Sequence, residues 1–571
     1  IKCNLFLKAG SRLYGSRDRT LLAIDLPEKP RAAMLAWSQP LEGVSAEGSI
    51  ASMLVADGRL VVVTTEGAIS CYGADKVESP VEFALPTKTS LADNHPWVKA
   101  AGNLIETVSS PTGGIAVVLG LDNGHLMRGL AHHPKWQVIG IDGDAGRVDR
   151  IRRSLDAAGV PRNRVAVHHA DPLAIGLPPY LAHLVTTENL EASGFDRTER
   201  FAAQVFGVLR PYGGRALLPL SNAQHARLAA AVTGERCPGH RLAAADGQTT
   251  LTRPGPLPGS ASWTHQYADV GNTPVSNDDR VKAPLGLLWF GGSSNRSILP
   301  RHGHGPTEQV VGGRLFIEGP DLMRAVDVYT GRVLWEVSLP GVGQAFNFTG
   351  HQPGANATGS NYVSVEDAVY IAYQSRCVKL DSATGEVIAE FPLPALGDGA
   401  KPKWGYIAVT GDLLIAGAEP LVYEGKRVGS NTHDGTTSRY LVVMDRHDGK
   451  VLWTREAHYA FGHNAIVASN DLLYAIDRLP ETIVALMARR GRKPAGKPRL
   501  VAFNARTGKE AWSTTENVFG TWLGFSKQHD LLLQCGRPAR DMLTNEPADR
   551  MIVYRARSGK IHWDKKLSYG G

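Results

Sequence analysis

Cysteine is scarce in this sequence, and its few copies lie far apart. The chain of 571 residues has five cysteines, namely Cys3, Cys71, Cys237, Cys377 and Cys535. No two of them are adjacent, and no C-x-x-C or C-x-x-C-H motif occurs. These absences exclude a cysteine-based zinc site, a covalently attached c-type haem and a thioredoxin-like redox motif. The odd number also excludes complete pairing within one chain.

Long apolar runs and strong charge are missing as well. No apolar run reaches the length of a transmembrane helix. The net charge is only +7, and it is concentrated in one stretch, Ala488–Arg499. We interpret that stretch as a solvated loop between two strands, with a nucleic-acid site as the less favoured alternative. Because the first residue is Ile1 and not methionine, we expect a processed or truncated chain whose signal peptide, if any, is already gone.

Glycine, by contrast, is abundant, and the chain is long. The 62 glycines and 34 prolines favour many turns and a large β part. A chain of 571 residues exceeds what one hydrophobic core supports, so we expect two or more domains.

A short pattern recurs in the second half of the chain. An acidic or polar residue is followed by a turn, a glycine and then a tryptophan four residues later. The copies are DVYTGRVLW (Asp327–Trp335), DRHDGKVLW (Asp445–Trp453), NARTGKEAW (Asn504–Trp512) and RARSGKIHW (Arg555–Trp563), with a weaker DSATGEVIA (Asp381–Ala389). Each copy follows two apolar strand-like runs, and no helix pattern intervenes. Repetition of this kind predicts a β-propeller, in which the glycine makes a hairpin turn and the tryptophan covers the boundary with the neighbouring blade.

These copies resemble the tryptophan-docking repeats of quinoprotein-like propellers, the PQQ-dependent alcohol dehydrogenase and BamB-like families. The resemblance covers Trp263 to the C-terminus. Two further blades fit the N-terminal segment, one ending near Trp37 and one at Val55–Gly73. We count about seven blades, and eight is the number that the resemblance implies. PQQ itself is not expected, because the chain lacks the adjacent cysteine pair of those dehydrogenases and their calcium-binding Glu/Asn/Asp set cannot be placed.

Between the propeller-like segments, strand patterns alternate with helix patterns. The alternation runs from about Leu91 to Pro254 and predicts a parallel, doubly wound sheet. We therefore expect three parts: first propeller blades at 1–90, an inserted α/β domain at 91–254, and the remaining blades at 255–571. We expect the insertion to lie between blades and the two flanks to form one ring, with the ends of the insertion close together.

The order of elements in 91–254 resembles the class I SAM-dependent methyltransferase fold. In VVLGLDNGHLMRGLA (Val117–Ala131), Gly120 and Gly124 keep the outer glycines of that family's first loop. Val118 stands where an acidic residue is usual, and Asp122 replaces the middle glycine. The resemblance implies that SAM lies over Gly120–Gly124. It places the remaining cofactor contacts at strand ends, with Asp142 at the ribose, Asp171 beside the adenine, and Glu188 with Asn189 where substrate is met.

Each of these residues also has a purely structural interpretation. The glycines could serve a tight turn and close packing of the helix. Asp142 or Asp144 could cap the next helix, Asp171 could be a turn residue before Pro172, and Glu188 could face solvent. Both interpretations stay open at this stage.

A second group of polar residues precedes the predicted inner strands of the blades. They are Arg301, His302, His304, Asn361, Trp404, His463, Asn464 and Trp522. Because inner strands line the channel of a propeller, these side chains are expected at one mouth. His302, His304 and His463 could bind a metal there, or Arg301 an anion. The alternative is structural, with the histidines bonded to loop carbonyls.

Three functions follow from these observations. The first is a SAM-dependent methyltransferase whose propeller binds or presents a substrate or partner. The second is a catalytically silent binding or scaffold protein of the cell envelope. The third is a quinoprotein-type oxidoreductase with a cofactor or metal in the channel. The propeller resemblance favours the periplasm or cell envelope, whereas SAM binding would indicate the cytoplasm. A protein partner on the propeller face is compatible with the first two, and no nucleic-acid partner is indicated.

Overall fold

The computed structural model describes residues 3–567 and 569, apart from gaps at 28–32, 42–47, 76, 84–94, 109, 246, 292–296, 301–303, 349–353, 398–401, 424–425, 428–435, 470, 538–545 and 548. The chain divides into two compact units, Ile1–Pro86 and Thr87–Gly571. None of the helices in the described ranges has the length and apolar character needed to span a membrane.

The first unit consists of two antiparallel sheets. One has four strands in sequential order, β1 Asn4–Ala9, β2 Arg12–Arg17, β3 Thr20–Asp25 and β4 Met34–Pro40. The other has three, β5 Ile50–Ala56, β6 Arg59–Thr64 and β7 Ile69–Tyr72. Leu21, Leu60 and Val62 form the centre of the small core, onto which Tyr14 and Trp37 pack.

The second unit begins with the α/β region. Its elements are α1 Pro96–Glu106, β8 Gly114–Leu119, α2 His125–His132, β9 Trp136–Asp142, α3 Ala145–Ala157, β10 Val165–His169, β11 Leu184–Thr186, α4 Thr198–Val208, β12 Gly214–Leu218, α5 Asn222–Ala231, β13 Arg241–Ala245 and β14 Gln248–Arg253. The strands form one sheet in the order β10-β9-β8-β11-β12-β14-β13. The first five strands are parallel, and β13 and β14 add an antiparallel hairpin that the sequence patterns did not predict.

Every residue of β8 is buried, because helices cover both faces of this sheet. Ile115, Val117 and Leu119 lie in the core that includes α4 and α5. Ala116 and Val118 lie in the opposite core, which includes α1, α2 and α3. This alternation explains the unbroken apolar run in the sequence, which is typical of a strand between two helix layers. Polar groups begin where the run ends, so the loop after β8 is the place where a ligand could be met.

Five four-stranded antiparallel arrangements follow. The first two are β15 Gln309–Val311, β16 Arg314–Glu318, β17 Leu322–Asp327 and β18 Val333–Ser338, and, after a 3-10 turn Gln344–Phe346 and α6 Ala355–Thr358, β19 Tyr362–Ser364, β20 Ala368–Tyr373, β21 Arg376–Asp381 and β22 Val387–Pro392. The next two share a long strand: β23 Trp404–Thr410, β24 Leu413–Ala418, the hairpin β25 Val422–Tyr423 and β26 Lys426–Arg427, β27 Thr437–Asp445, β28 Val451–Ala468, β29 Leu472–Asp477, α7 Glu481–Arg489, β30 Arg499–Asn504 and β31 Glu510–Thr514. The last is β32 Trp522–Ser526, β33 Leu531–Cys535, β34 Arg550–Arg555 and β35 Ile561–Lys566.

The repeated glycine and tryptophan join three of the four neighbouring pairs among these five sheets. A Cβ built on Gly385 would lie 2.6 Å from Cδ2 of Trp335, and the Trp335 indole N–H donates to the Ser382 carbonyl at 3.1 Å. Trp453 and Trp512 dock in the same way on Gly508 and Gly559. Glycine is required in these turns because φ is positive and an aromatic ring covers the Cα.

Two docking partners lie outside the pattern read from the sequence. Where Ala389 replaces the expected tryptophan, Phe391 two residues later packs on Gly449. Trp289 packs on Gly331, and its indole N–H donates to the Val328 carbonyl at 3.0 Å. Trp289 therefore occupies the docking position for the first of the five sheets.

One irregular segment, Trp263–Thr273, crosses the first strand of all five sheets. Its backbone or side chains bond to Val310 of β15, Ser364 of β19, Val409 of β23, Ala468 of β28 and Phe525 of β32. The first strands therefore gather around a common segment, as the inner strands of a propeller do.

A buried polar network attaches the α/β region to the first of the five sheets. Arg210 of the turn before β12 pairs with Asp327, the first residue of the repeat turn DVYTG, at 2.7 Å. Arg332 donates to the carbonyls of Thr112 and Gly113 just before β8, at 2.8 and 2.7 Å. His183 lies 3.8 Å from Asp327, and burial lowers the pKa of this histidine well below its usual value. The two parts of the second unit are thus held together by charged groups shielded from water.

Candidate functional site

The loop after β8 has the backbone shape that its glycines predict. Gly120 and Gly124 both have positive φ, 72° and 75°. A side chain on Gly120 would collide with the backbone of Asn189 and Ser193, and one on Gly124 with Ile151. Helix α2 starts directly after Gly124. The loop thus presents backbone N–H groups at a helix N-terminus, an arrangement that binds anions.

A carboxylate of the chain itself occupies those N–H groups. Glu188, which follows β11, accepts from the backbone N–H of Asp122 at 2.9 Å and Gly124 at 3.0 Å through Oε2. Through Oε1 it accepts from Leu126 at 2.8 Å and Met127 at 3.2 Å. A carboxylate has about four lone-pair sites. Glu188 therefore has no acceptor site left for a ligand, and it supplies the loop with the carboxylate that Val118 lacks.

The turn that carries Glu188 also packs against the glycine loop at Gly120. The N–H groups of Glu188 and Asn189 both donate to the Gly120 carbonyl at 3.1 Å. The Gly120 Cα lies against the backbone of residues 189–193. A Cβ built on Gly120 would lie 2.3 Å from the carbonyl oxygen of Asn189 and 2.4 Å from the backbone nitrogen of Ser193. Asn189 turns its amide oxygen back to the Ala192 N–H at 3.0 Å. The turn at residues 188–193 thus packs directly on Gly120 of the glycine loop.

Asp142 ends β9 at the predicted position, but its carboxylate is fully engaged. Oδ2 accepts from the Leu121 N–H and Oδ1 from the Asp144 N–H, both at 2.8 Å. Arg147 contacts both oxygens, at 2.9 and 3.1 Å. The side chain is 1% exposed. The helix cap that was one alternative for Asp142 is made instead by Asp144, whose Oδ1 accepts from the Arg147 N–H at 2.7 Å.

Asp171 is also paired within the chain. Arg197 donates to both of its oxygens, at 2.9 and 3.0 Å, and the Leu173 N–H donates at 2.9 Å. These hydrogen bonds, led by that of Arg197, lower the pKa of Asp171 to about 2. Asp122, by contrast, is exposed and contributes only its N–H. The structure thus brings Gly120, Gly124, Asp142 and Glu188 together around one loop, with Asp171 at a neighbouring strand end.

Two arginines that the sequence patterns missed, Arg147 and Arg197, neutralise the candidate carboxylates. Arg147 lies in the first turn of α3, five residues after Asp142, which is a position from which a long side chain reaches back to the strand end. Arg197 immediately precedes α4 and has no comparable signal. Six backbone N–H groups at positions 121–127 are bonded within the chain, counting His125, which donates to Asn123. The residues as folded do not fit SAM, because the N–H groups of the loop are bonded to Glu188 and the carboxylate predicted at the ribose, Asp142, is bonded to Arg147.

The histidines predicted at the propeller mouth do not form a described cluster. Arg301 and His302 lie outside the described residues, and His304 is exposed. His463 is buried, with Nε2 2.8 Å from Ser438 Oγ and Nδ1 2.6 Å from the Thr358 carbonyl. Burial lowers the pKa of His463 to about 4. No group of three or more His, Cys, Asp or Glu side chains placed to hold a metal occurs among the described residues.

The other residues predicted at the mouth mostly bond to neighbouring backbone. The Asn464 amide donates to Asn356, the Trp404 indole to Tyr406, and Trp522 lies edge-on to Tyr267 with ring centroids 4.7 Å apart. Asn361 donates to Glu318. A cavity of about 20 Å³ lies beside His463, Asn464 and the crossing segment. That volume suits one or two water molecules and not a cofactor.

One family model and several solved structures are similar to parts of the chain. A family model described as outer membrane protein assembly factor BamB matches residues 238–494. No curated protein sequence matches the chain. With this match, the repeats and the four-stranded sheets, the chain combines a PQQ/BamB-like propeller with a methyltransferase-like region.

Solved structures of both kinds are similar to parts of the chain. BamB from Moraxella catarrhalis is 13% identical, with 50% of this chain and 78% of that chain covered and a TM-score of 0.27. A putative S-adenosyl-L-methionine-dependent methyltransferase from Methanococcus maripaludis is 13% identical over 28% of this chain and 85% of that chain, with a TM-score of 0.22. Geranyl diphosphate methyltransferase in complex with SAM is 18% identical, with 21% of this chain and 48% of that chain covered and a TM-score of 0.19.

Proposed function

We propose that this chain is a binding or scaffold protein in which the propeller is the binding part and the methyltransferase-like region is catalytically silent. The observation that carries this proposal is the bonding of Glu188 to four N–H groups of the glycine loop. Displacing it would leave a carboxylate and four amides to find new partners, which opposes ligand binding. The ion pair of Asp142 with Arg147 opposes it a second time.

The buried network around Asp327 supports a structural role for the silent region. Arg210 of the α/β region pairs with Asp327 of a propeller sheet, and Arg332 of that sheet donates to the carbonyls of Thr112 and Gly113. These bonds connect the region to the sheet and serve no step of catalysis. The match to the BamB family model supports a protein partner and a place at the cell envelope. We further propose a Rossmann-like class for the α/β sheet, seven or eight propeller blades, and insertion of residues 91–254 into the propeller.

The runner-up functions require changes at the sites described above. A SAM-dependent methyltransferase would need Glu188 and Arg147 to leave their present partners. A quinoprotein-type oxidoreductase would need room that the cavity beside His463 does not provide. Metal binding by His302, His304 and His463 stays a prediction.

Calorimetry of the whole chain with SAM and S-adenosylhomocysteine tests the proposal. We expect no saturable binding of either ligand at concentrations up to about 1 mM, so that any dissociation constant is weaker than about 1 mM. Asp142→Ala and the exposed control Asp122→Asn should then give the same flat titration as the parent. The proposal fails if the parent binds SAM and Asp142→Ala weakens that binding about ten- to a hundredfold while Asp122→Asn does not. Thermal melts establish that each variant is folded.

A further inference from the structure

The connection between β29 and β30 is long and strongly basic. In the first two of the five sheets, the same connection takes only residues 319–321 and 374–375, and in the third and fifth it takes residues 419–436 and 536–549. Here it takes residues 478–498 and contains α7 and a loop. Positions 482–498 hold five cationic residues and no acidic one. Long insertions of this kind in compact folds commonly serve binding.

This basic connection is a folded element and not a loose tail. Ile483 and Met487 of α7 are buried. Gly496 lies so close to strand β28 that a Cβ would be 2.9 Å from Oη of Tyr459 and 3.4 Å from Nε2 of His458. Arg499, at its end, pairs with Glu510 at 3.2 Å. Its cations are therefore presented from a fixed surface, which lowers the entropy lost on binding.

Three of the cations lack the ion pairs that are common on the neighbouring sheets. Arg489, Lys493 and Lys497 are exposed, and none has an ion-pair partner among the described residues. Three exposed arginines of the surrounding sheets are paired by comparison, Arg439 with Glu456 at 2.6 Å, Arg506 with Asp412 at 3.0 Å and Arg557 with Asp471 at 3.3 Å. The basic connection thus concentrates positive charge: five cations lie within positions 489–497, and three of them are exposed and have no ion pair among the described residues.

We infer that Arg489, Lys493 and Lys497 form a docking surface for an acidic segment of a partner protein. Opposite charge is what three fixed, uncompensated cations select, and it speeds encounter as well as fixing register. The exposed part of the connection has no aromatic side chain, so it offers no stacking platform for single-stranded nucleic acid. Its described exposed apolar residues are three alanines, Ala485, Ala488 and Ala495, so it offers no large apolar side chain for insertion into a lipid bilayer. The inference rests on the proposed function as a binding protein.

Fluorescence anisotropy of a labelled oligo-glutamate peptide with the whole chain tests this inference. The triple variant Arg489→Ala, Lys493→Ala, Lys497→Ala should bind about tenfold more weakly or worse at low salt. The matched control Arg439→Ala, Arg506→Ala, Arg557→Ala removes the same charge from paired arginines and should change affinity less than about twofold. Binding by the parent should weaken as salt is raised.

Duplex DNA and phosphatidylglycerol vesicles are the comparison probes. Equal losses in the two triple variants would show that net charge alone attracts the peptide, and would overturn the inference. Absence of peptide binding by the parent, or tighter binding of DNA or vesicles that depends on the same three cations, would overturn it too. Calorimetry with SAM is independent of these results. Binding of SAM would contradict the proposed function without affecting the peptide result. Failure of the peptide experiment would contradict only the docking surface and not the proposal that the α/β region is catalytically silent.

Discussion

The Arg210 guanidinium pairs with the Asp327 carboxylate at 2.7 Å in a place that water does not reach, because the two side chains are only 10% and 0% exposed. Arg210 belongs to the turn RPYGG of the methyltransferase-like region, and Asp327 opens a propeller repeat. A second arginine hydrogen bond runs from Arg210 Nη2 to the Gly313 carbonyl at 3.3 Å. One buried pair therefore connects sequence patterns that belong to two different folds.

We predict that breaking this pair destabilises the second unit strongly. Arg210→Ala should lower the free energy of unfolding by about 3–5 kcal/mol, because it leaves Asp327 buried without its partner. Arg439→Ala, which removes an exposed arginine from a pair with Glu456, should cost about 1 kcal/mol or less. Urea unfolding of the whole chain measures both. Similar small losses in the two variants would show that the pair does not hold the parts together.

Much of the fold could be predicted because its signals are local. The repeat glycines need positive φ, and the tryptophans four residues later dock on the turns of the next sheet. The apolar run before Gly120 is a strand buried on both faces, and Asp142 and Glu188 follow strands at the same edge of the sheet. Periodicity and turn chemistry are properties of a few consecutive residues, so they can be read without coordinates.

The partners of the site residues could not be predicted, because they are set by distances between remote parts of the chain. Glu188 lies more than sixty positions from the loop that it fills. Nothing in the local sequence distinguishes a carboxylate that awaits a ligand from one already bonded to Arg147 or Arg197. Phe391 in place of a tryptophan at Ala389 is a similar case, since only the packing shows that a ring two residues later reaches Gly449. The domain limits of 90 and 254 and the insertion stay predictions.

Aromatic docking on the repeat turns should be measurable at Gly385. Gly385→Ala combines a strained φ of 78° with a collision against the Trp335 ring. Gly411→Ala is the matched control, since φ is also positive, 54°, and no atom lies within 4 Å of the new Cβ. We expect the loss at Gly385 to exceed that at Gly411 by about 1–3 kcal/mol, because the extra atom overpacks the interface between sheets. Equal losses would mean that the turn conformation alone requires glycine.

The buried carboxyl of Glu318 should make the free energy of unfolding decrease as pH rises from about 4.5 to about 8. Burial raises its pKa to about 8, and its Oε2 has no partner among the described residues. In the unfolded chain this group loses its proton above its ordinary pKa near 4.5, so folding stability decreases as pH rises from there to about 8, at up to about 1.4 kcal/mol per pH unit. Glu318→Gln, which is neutral throughout, should be increasingly more stable than the parent over that range. Urea unfolding as a function of pH measures the difference, and the exposed Glu308→Gln should show no such trend. A parent-minus-variant difference that does not change with pH would contradict this prediction.

Buried histidines should act in the opposite direction, at low pH. Burial lowers the pKa of His463 and of His265 to about 4 each, and the hydrogen-bond partners of both rings suit neutral imidazole. Because an unfolded histidine takes up its proton near pH 6.5, stability should fall as pH drops from about 6.5 to about 4, by up to about 1.4 kcal/mol per pH unit for each ring. His463→Gln should be less stable than the parent near pH 7, where it loses hydrogen bonds, and the gap should narrow as pH falls. His529→Gln, at an exposed position, should leave the pH dependence of unfolding unchanged. Over roughly pH 7 to 4.5, a buried neutral histidine takes up a proton only in the unfolded chain. If the difference in free energy of unfolding between the parent and His463→Gln is constant over this range, burial does not hold the ring neutral.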